Sequence, residues 1–388
     1  MRVALNLEQL LTRPPGGVGR YTAELARLLP GTDPDSGERI EVVPFVARHR
    51  RGAVDAALGE FGLSGLEPVS LLLPRPILYD TWNTLAAPPL SLLHGELRDV
   101  DLVHAPSLAV PPRAGHAPLI VTVHDAAALL FPKTYPARGR WFHGRGLAAA
   151  ARRADRVIAP TQAAADEIVS NSRIPADRIR IVPHGVALGR VHDGVVAATR
   201  STLGLGDEPY LLWVGTLEPR KNLPLLLEAY SAAVRAGISE RLVVVGPPGW
   251  SGAPRVIAAA AEALGDRLVF TGPLRADRLA ALYHGSSLFV FPSLHEGFGL
   301  PVLEAMAQEV PVLCSDIPVL HEVAGHGARY VPATDVDAWT DALVELLSDE
   351  RARRDLGATG RARASNFTWE GCVARTRAVY HELLGAAA

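Results

Sequence analysis

The sequence is poor in cysteine and nearly balanced in charge. Only Cys314 and Cys372 occur among its 388 residues, which excludes a disulfide framework and favours a reducing compartment. Lysine and arginine number 39 against 41 aspartates and glutamates, for a net charge of −2. Such a balance gives no electrostatic reason to expect nucleic acid. We therefore predict that nucleic acid is not a partner.

Long hydrophobic runs are also missing. The sequence contains no run of about 18 apolar residues, the length that a membrane-spanning helix needs. Its first residues, MRVALNLEQLL, interrupt their short apolar stretch with Asn6 and Glu8, unlike the continuous apolar region of a signal peptide. We predict a cytoplasmic protein, and peripheral attachment to the inner face of a membrane stays open.

The residues that are abundant indicate a globular α/β protein. The chain is 48% hydrophobic and 21% charged, and its length suits two domains. Short β-branched runs such as RVALNL and PLIVTVHD alternate with helix-length segments, and the rhythm restarts with YLLWVGT at Tyr210. This order is typical of parallel sheets with helices on both faces. We predict two Rossmann-like, doubly wound parallel-sheet domains that face each other across a cleft.

A glycine-rich segment separates the two halves. The stretch VALGRVHDGVVAATRSTLGLGDEP lacks apolar periodicity, which is typical of a linker region. We predict an N-terminal domain over 1–190, a linker region over 191–208, a C-terminal domain over 209–365 and a C-terminal helical segment over 366–388.

Several enzyme signatures are absent from the positions where such sheets bind ligands. The turn GGVGRYT lacks the third glycine of the dinucleotide fingerprint, and HEVAGH at 321–326 places its second histidine one residue too late for a zinc protease. Asp-x-Asp pairs begin at Asp33, Asp99 and Asp335, but their surroundings are typical of turns and helix caps. We predict no metal and no cofactor.

Two glutamates in HEGFGLPVLEA, Glu296 and Glu304, are separated by seven residues. They follow the apolar run LFVFPS, and Pro301 between them suits the first turn of a helix. With Glu296 in a loop and Glu304 inside the helix, both carboxylates can approach one extended ligand. The helix N-terminus offers free N–H groups to an anion such as a pyrophosphate. A nucleotide sugar fits this pattern, with its diphosphate in the middle and hydroxyl groups at both ends.

Two cations, Arg220 and Lys221, follow the first strand of the second half in GTLEPRKN. Adjacent cations suit a diphosphate, because a departing nucleoside diphosphate gains negative charge that fixed donors must stabilise where a metal does not. The alternative is a pair that faces water at the start of a helix, where the helix dipole disfavours cations.

These motifs resemble the family 4 retaining glycosyltransferases, which have the GT-B fold and carry a pair of glutamates separated by seven residues. The resemblance covers nearly the whole chain. It implies that the N-terminal domain is on the acceptor side, that the C-terminal domain binds the nucleotide-sugar donor, and that the helix over 366–388 can cross back to the N-terminal domain. Its motifs are GGVGRY from Gly16, TVHD at 122–125, VPHGV at 182–186, VGTLEPRKN at 214–222 and HEGFGLPVLEAMA at 295–307. The segments GGVGRYTAEL, HDAAALLFP and GTLEPRKNL are most similar to those of bacterial mannosyltransferases of surface polysaccharide assembly.

The resemblance implies an activity. It is the transfer of a sugar from a nucleoside-diphosphate sugar, with GDP-mannose as the first expectation, to a hydroxyl of a glycan or lipid-linked acceptor, with retention and without metal. Two alternatives stay open: a nucleotide-sugar epimerase of similar architecture, and a non-catalytic sugar-nucleotide binding protein. The spacing of the glutamates argues against the first, and the intact set of charged residues argues against the second.

The resemblance also implies roles for individual residues. Glu304 would accept hydrogen bonds from the ribose, Glu296 would contact the transferred sugar, and Arg220 and Lys221 would bind the diphosphate. His124 would lie near the reacting sugar and act through its backbone carbonyl or its ring. The remaining residues assigned to the donor are Gly16, Gly17, Gly215, Gly297, Phe298, Gly299 and Leu300. Plainer alternatives are a helix-dipole carboxylate for Glu304 and a structural histidine for His124.

Two positions leave questions for the structure. After EAMA the chain reads QEVP, which places Glu309 where the family pattern has glycine. If that glycine ends the helix with positive φ, the helix is expected to end differently here, at a cost of about 1 kcal/mol. In VPHGV, His184 and Gly185 either line the cleft or form a hinge turn.

Overall fold

The computed structural model describes residues 1–12, 16–34, 36–187, 189, 191–249 and 254–385. The chain divides into two compact units. Unit 1 comprises Met1–Gly185 and Trp369–Ala388, and unit 2 comprises Val186–Thr368. The boundaries that the sequence suggests at residues 190, 208 and 365 stay a prediction.

The sheet of unit 1 is built mainly from parallel strands. Its strands are β1 (Arg2–Asn6), β2 (Gly31–Thr32), β3 (Arg39–Val46), β4 (Val69–Ser70), β5 (Leu102–Ala105), β6 (Leu119–Thr122), β7 (Arg156–Ala159) and β8 (Ile179–Ile181). They lie in the order β2-β3-β1-β5-β6-β7-β8, with β4 beside β3, and β2 pairs antiparallel to β3. The runs RVALNL and PLIVTVHD correspond to β1 and β6, whereas β2 and β4, with two residues each, are too short to form such a run.

Helices pack around this sheet and explain its apolar strands. They are α1 (Gly16–Leu28), α2 (Arg51–Glu60), α3 (Arg75–Leu85), α4 (Leu90–Leu93), α5 (Ala127–Leu130), α6 (Ala137–Arg153) and α7 (Gln162–Asn171). Neighbouring residues on a strand point to opposite faces, yet Ile120 and Val121 of β6 are both fully buried. A strand that is covered on both faces reads as a continuous apolar run rather than an alternating one.

The sheet of unit 2 is parallel throughout the part that the structure describes. Its strands are β9 (Tyr210–Val214), β10 (Arg241–Val245), β11 (Leu268–Gly272), β12 (Leu288–Phe291), β13 (Val312–Ser315) and β14 (Arg329–Val331). They lie in the order β11-β10-β9-β12-β13-β14. The order reverses between β9 and β12, and ligands of doubly wound sheets bind beyond the carboxyl ends of the strands at such a point.

Eight helices of unit 2 are described. They are α8 (Asp193–Thr202), α9 (Leu223–Arg235), α10 (Pro254–Leu264), α11 (Ala276–His284), α12 (Leu300–Ala307), α13 (Pro318–Ala324), α14 (Val336–Ser348) and α15 (Glu350–Ala364). Helix α8 lies inside the segment predicted as a linker region and packs against α11. Arg200 of α8 also donates to the carbonyl of Gly285, at 3.4 Å.

The last helix, α16 (Trp369–Gly385), belongs to unit 1 and packs against α1. Its Arg377 donates to the carbonyl of Leu28 at 2.8 Å, and its Tyr380 is fully buried. Among the described residues, no helix combines the length and the apolar character needed to cross a bilayer.

Candidate functional site

The loops after β9 and β12 meet at the point where the strand order of unit 2 reverses. The loop after β9 contains a single 3-10 turn, Pro219–Lys221. The loop after β12 carries Glu296. A backbone hydrogen bond of 2.8 Å from the N–H of Leu294 to the carbonyl of Arg220 joins the two loops. The topology thus brings the predicted cations and the first predicted glutamate to one edge of the sheet.

These side chains form a buried ionic cluster. Lys221 donates from Nζ to Oε1 of Glu296 at 2.6 Å, and Nη1 of Arg220 lies 3.2 Å from Oε2 of the same carboxylate. Arg220 also donates from Nη2 to Oε1 of Glu218 at 2.7 Å. The four side chains are between 8% and 13% exposed. Two cations and two carboxylates therefore compensate one another in a largely dry environment.

Further contacts fix the orientation of the two cations. Nη1 of Arg220 donates to the carbonyl oxygen of His295 at 2.5 Å. The ammonium of Lys221 lies 5.0 Å from the ring centroid of Phe291, within the range of a cation–π interaction. Both cations are therefore held by the loop that carries Glu296 and by the strand before it.

Gly215 lies against the ring of Trp213 and beside Lys221. A Cβ atom at this position would lie 3.2 Å from the ring of Trp213, which is a tight contact, and 3.5 Å from Cγ of Lys221, which is an ordinary one. A larger residue would therefore press against the Trp213 ring rather than against Lys221. Packing against Trp213 thus explains why a glycine suits position 215, while a contact of Gly215 with the donor stays a prediction.

The electrostatics of the cluster keep Glu296 ionised. Burial raises the pKa of this carboxyl, but the charges of Lys221 and Arg220 outweigh burial and lower the pKa to about 2. Burial lowers the pKa of Lys221, and the charge of Glu296 opposes that change. Glu296 is consequently an anion at neutral pH, with both carboxylate oxygens facing cations.

Helix α12 begins between the two glutamates, as the sequence predicts. Gly299 precedes its first residue with φ of 93°, a left-handed conformation that favours glycine. A Cβ atom here would come within 2.7 Å of Leu320. Pro301 lies in the first turn. Glu304 lies one turn further on, where its Oε2 accepts a hydrogen bond of 3.1 Å from the hydroxyl of Tyr283.

The other residues of the predicted donor loop are mostly turned inward. Phe298 is only 5% exposed, and its ring centroid lies 5.9 Å from that of Phe367. Leu300 packs against the same apolar core, while Gly297 directly follows Glu296. A contact of Phe298 with a donor would therefore involve its backbone rather than its side chain, whereas Leu300 is only partly buried.

The C-terminal end of α12 corrects one expectation. Glu309 adopts φ of 62°, the conformation in which glycine usually ends a helix. Its N–H donates to the carbonyl of Met306 at 2.9 Å, and the N–H of Val310 donates to the carbonyl of Ala305 at 3.1 Å. These are the two bonds of a Schellman motif. The expectation that the helix ends differently is wrong, because Glu309 takes the strained conformation itself.

The predicted residues of unit 1 lie at the start of α1 and in the loop after β6. Gly16, with φ of 58°, and Gly17 begin α1 after β1. His124 follows β6. Asp125 accepts a hydrogen bond of 3.0 Å from the N–H of Ala127 at the start of α5, so it orients the loop. These residues belong to unit 1, whereas Arg220, Lys221, Glu296 and Glu304 belong to unit 2.

His124 is held on both sides of its ring. Nε2 lies 2.9 Å from the carbonyl oxygen of Pro106, and Nδ1 lies 3.2 Å from Nε2 of His184. The ring of Tyr21 packs edge-on against His124 and tilted against His184, with centroid distances of 5.3 and 4.7 Å. Burial lowers the pKa of both histidines. The buried His184 is thus paired with the partly buried His124. Whether His184 lines a cleft or forms a hinge turn stays a prediction.

A chain of buried polar groups lies beside this pair, and no motif in the sequence indicates it. The hydroxyl of Thr122 lies 3.0 Å from that of Tyr21 and 2.8 Å from Nε2 of His104. Nδ1 of His104 lies 2.7 Å from the hydroxyl of Tyr380. Burial lowers the pKa of His104 to about 3, so its ring is neutral. Contacts between such distant parts of the chain leave no local pattern.

In unit 2, sequence reasoning missed Glu218 and Tyr283. The motif GTLEPRKN could have indicated Glu218, because this carboxylate lies two residues before Arg220. No sequence pattern indicates Tyr283, since it is an ordinary buried tyrosine on α11.

Among the described residues, no group of three or more histidine, cysteine, aspartate or glutamate side chains could hold a metal ion. Asp335 accepts a hydrogen bond of 2.9 Å from the N–H of Ala338 and so caps α14, in line with its sequence context. Asp35, the partner of Asp33 in the first pair, lies outside the described residues. Independence from metal stays a prediction.

Comparison with known proteins identifies both halves of the chain. Residues 15–190 match the model described as Glycosyltransferase Family 4, and residues 197–363 match the model described as Glycosyl transferases group 1. The O-antigen chain mannosyltransferase B of Escherichia coli is 28% identical over 95% of this chain and 96% of its own. The serotype-specific mannosyltransferase WbdA of Escherichia coli is 34% identical over 69% of this chain, which spans only 34% of that relative.

Solved structures share the fold. Anabaena HepE in complex with UDP and glucose superposes with a TM-score of 0.74 over 99% of both chains, at 19% sequence identity. The two parallel sheets, each with helices around it, are those of GT-B glycosyltransferases. The predicted fold class is confirmed. The chain therefore belongs to the glycosyltransferases of the GT-B type that combine a family 4 domain with a group 1 domain.

Proposed function

We propose that this glycosyltransferase transfers mannose from GDP-mannose to a hydroxyl of a surface polysaccharide under assembly, on a glycan or lipid-linked acceptor. The names of relatives support this proposal, since O-antigen chain mannosyltransferase B aligns over 96% of its length and WbdA is also a mannosyltransferase. The HepE complex is a fold relative that binds UDP and glucose. The nucleotide base is therefore the first point to test.

The observation that carries the proposal is the buried cluster of Lys221, Arg220 and Glu296 at the point where the strand order reverses. The cations would bind the diphosphate of the donor, and Glu296 would accept hydrogen bonds from hydroxyls of the transferred sugar. Glu304, oriented by Tyr283, would accept from the ribose. Fixed cations in a dry site stabilise the charge that develops on the leaving nucleoside diphosphate.

We infer that the transfer retains configuration by attack on the front face. Both carboxylate oxygens of Glu296 face cations, and Glu218 pairs with Arg220. Such engaged carboxylates suit hydrogen bonding better than attack on carbon. In the proposed step, the bond from the anomeric carbon to the phosphate oxygen breaks while the acceptor oxygen bonds to the same face. The departing phosphate takes the proton of the acceptor hydroxyl.

We also propose that the reaction needs no divalent metal. The charge of the leaving group would be met by Arg220 and Lys221, which the surrounding loops hold in place. Guanidinium and ammonium donors can supply the stabilisation that a metal gives in other transferases.

A basic stretch of unit 1 supports work at the inner face of a membrane. Residues 127–153 contain six lysines and arginines and no aspartate or glutamate. Leu129, Leu130 and Trp141 in this stretch are between 37% and 39% exposed. Basic and apolar groups together suit an anionic lipid surface. We expect co-flotation with vesicles that contain anionic lipid and not with neutral vesicles; equal binding to both would contradict this location.

The proposal is tested by a thermal-shift screen of GDP, UDP, ADP and TDP and their sugar conjugates in EDTA, followed by transfer assays. We expect stabilisation by GDP and GDP-mannose, loss of that effect in Lys221→Ala, and no change in Arg329→Ala, an exposed arginine of unit 2. The anomeric configuration of the product, read by NMR, tests retention.

Each competing result has a separate meaning. Stabilisation by another nucleotide alone would mean that the donor carries that base and not guanine. Conversion of the donor without acceptor would indicate an epimerase, and binding without turnover would indicate a binding protein. Loss of single-turnover transfer in EDTA, restored by magnesium or manganese, would contradict metal independence.

A further inference from the structure

In the pair formed by His124 and His184 of unit 1, the contacts determine which ring nitrogen donates a hydrogen bond and which accepts one. His124 is in contact with two groups through its ring nitrogens, the carbonyl of Pro106 and the ring of His184. A neutral imidazole has one N–H donor and one acceptor nitrogen. The identity of each partner therefore decides where the proton of each ring lies.

The carbonyl oxygen of Pro106 can only accept a hydrogen bond. Nε2 of His124, 2.9 Å away, must then carry the proton and donate it. Nδ1 of the neutral ring is left as an acceptor. Because Nε2 of His184 lies 3.2 Å from this Nδ1, it must be the donor of the second bond. The two bonds run in one direction, from His184 to His124 to Pro106.

The surroundings keep both rings neutral. Burial lowers the pKa of each histidine below its usual range, and the proximity of His124 lowers that of His184 further. Besides His184, the titratable groups around His124 include Tyr21 from α1, His104 from β5 and Asp125 from its own loop. Asp125 opposes the effect of burial but does not reverse it. A charged His124 would also place an N–H against the N–H of His184.

We propose that His184 is a positioning residue, which donates its Nε2–H to Nδ1 of His124 and holds that ring neutral and fixed at the reacting sugar. This inference rests on the proposed function, in which His124 lies near that sugar. Both ring nitrogens of His124 are engaged, so the ring neither gives nor takes a proton during transfer. His124 then contributes through the fixed position of its loop, and the departing phosphate remains the base.

The first experiment measures the tautomer directly, without turnover. The full-length protein, labelled with ¹⁵N at histidine, is examined by NMR between pH 6 and 8, and the His124 signals are assigned with His124→Gln. We expect a protonated Nε2 and an unprotonated Nδ1 on His124 throughout. Tyr21→Phe serves as the control, since it keeps the ring contacts with both histidines and removes only the hydroxyl beside Thr122. A protonated Nδ1 or a charged ring at neutral pH would overturn the inference.

The second experiment compares two replacements of His184. Glutamine can donate from its amide to Nδ1 of His124, whereas leucine cannot. We expect kcat to fall about tenfold to a hundredfold in His184→Leu, as for other losses of a group that orients a residue at the site of reaction. The KM for the donor should stay the same, and His184→Gln should recover most of kcat with a pH profile parallel to wild type.

The outcomes separate this inference from the proposed function. Equal kcat in His184→Leu and wild type, with the expected tautomer, would overturn the positioning role. Full activity in His124→Gln would show that the ring of His124 is not needed at the reacting sugar, and the positioning role of His184 would then fail, whatever the tautomer. If His184→Gln does not fold, as judged by its NMR spectrum, the tautomer measurement on the wild-type protein still tests the inference.

Discussion

At the scale of single residues, the ionic cluster of unit 2 is stable only as a complete set. A buried charge that loses its partner is strongly destabilising, although a complete pair need not add stability over apolar packing. Lys221 and Arg220 share Glu296, and Arg220 has a second partner in Glu218. Sequence reasoning found three of the four members, because a motif displays charged residues but not their pairing.

The pH dependence of stability should reveal the state of Glu296. Its pKa is about 4.5 in a free chain and about 2 in the folded protein. Because the folded pKa is the lower one, the stabilisation is present above pH 4.5 and is lost as the pH falls from 4.5 towards 2. At pH 7 we expect Glu296→Gln to lower the free energy of unfolding by about 2 to 4 kcal/mol. Urea unfolding should show this difference shrinking below pH 4.5.

The control for this measurement is Glu350→Gln. Glu350 is 71% exposed and pairs only with its helical neighbour Arg354 among the contacts of the described residues. Its replacement should change stability little at any pH. A difference between wild type and Glu296→Gln that does not change with pH would show that Glu296 is not ionised in the folded protein.

Nucleotide affinity should depend on Glu304. If this carboxylate accepts hydrogen bonds from the ribose, Glu304→Ala should weaken binding of the nucleoside diphosphate at least about tenfold, since a hydrogen bond to a charged group contributes about 1.5 to 3 kcal/mol. Calorimetric titration measures the change. Glu345→Ala, on the exposed face of α14, should bind like wild type. Equal affinity in Glu304→Ala and wild type would remove Glu304 from the site.

At the scale of elements, apolar runs predict the longer strands and miss the short ones. Strands such as β6 and β12 are buried on both faces, so their sequences are continuously apolar. β2 and β4 contain two residues each, too few for any periodicity. Helix α8 was missed because its buried contacts are few: Thr199 is its single buried residue among those described. The pairing of His104 with Tyr380, far apart in sequence, was equally invisible.

The end of α12 offers a test at this scale. Glu309 holds a left-handed conformation that costs a residue with a side chain about 1 kcal/mol relative to glycine. Glu309→Gly should therefore raise the free energy of unfolding by about 1 kcal/mol. Glu309→Ala keeps the strain and loses only a carboxylate 3.9 Å from Arg361, so it should be nearly neutral. Urea unfolding of the three proteins measures both changes.

Gly357, on the helix that packs against the end of α12, provides a second test of this helix end. Gly357 of α15 packs against the backbone of Glu309, and a Cβ atom there would collide with its carbonyl oxygen. Gly357→Ala should destabilise the protein, while Glu309→Gly stabilises it. Stabilisation that appears equally in Glu309→Ala and Glu309→Gly would mean that the carboxylate, rather than the backbone, is the source of the cost.

At the scale of the whole molecule, unit 1 is completed by the end of the chain. Helix α16 supplies Tyr380 to His104 of β5 and a carboxylate, Glu382, to Arg156 and Arg180. The segment between the two parts of unit 1, Val186–Thr368, forms unit 2. Unit 1 therefore gains its last packing layer only after all of unit 2 has been synthesised.

Removal of residues 369–388 should loosen unit 1 and leave unit 2 intact. The deletion takes away Trp369 and Tyr380, both buried in unit 1, and leaves His104 without its hydroxyl partner. A buried polar group without a partner costs about 1 to 3 kcal/mol, in addition to the lost apolar packing. Hydrogen exchange followed by mass spectrometry should show faster exchange in α1, β5 and β6, with β9 and β12 unchanged. Glu382→Gln is the control, because its ion pairs are about one third exposed and contribute only about 0 to 1 kcal/mol. Unchanged exchange in unit 1 after the deletion would show that α16 adds nothing to the stability of its sheet.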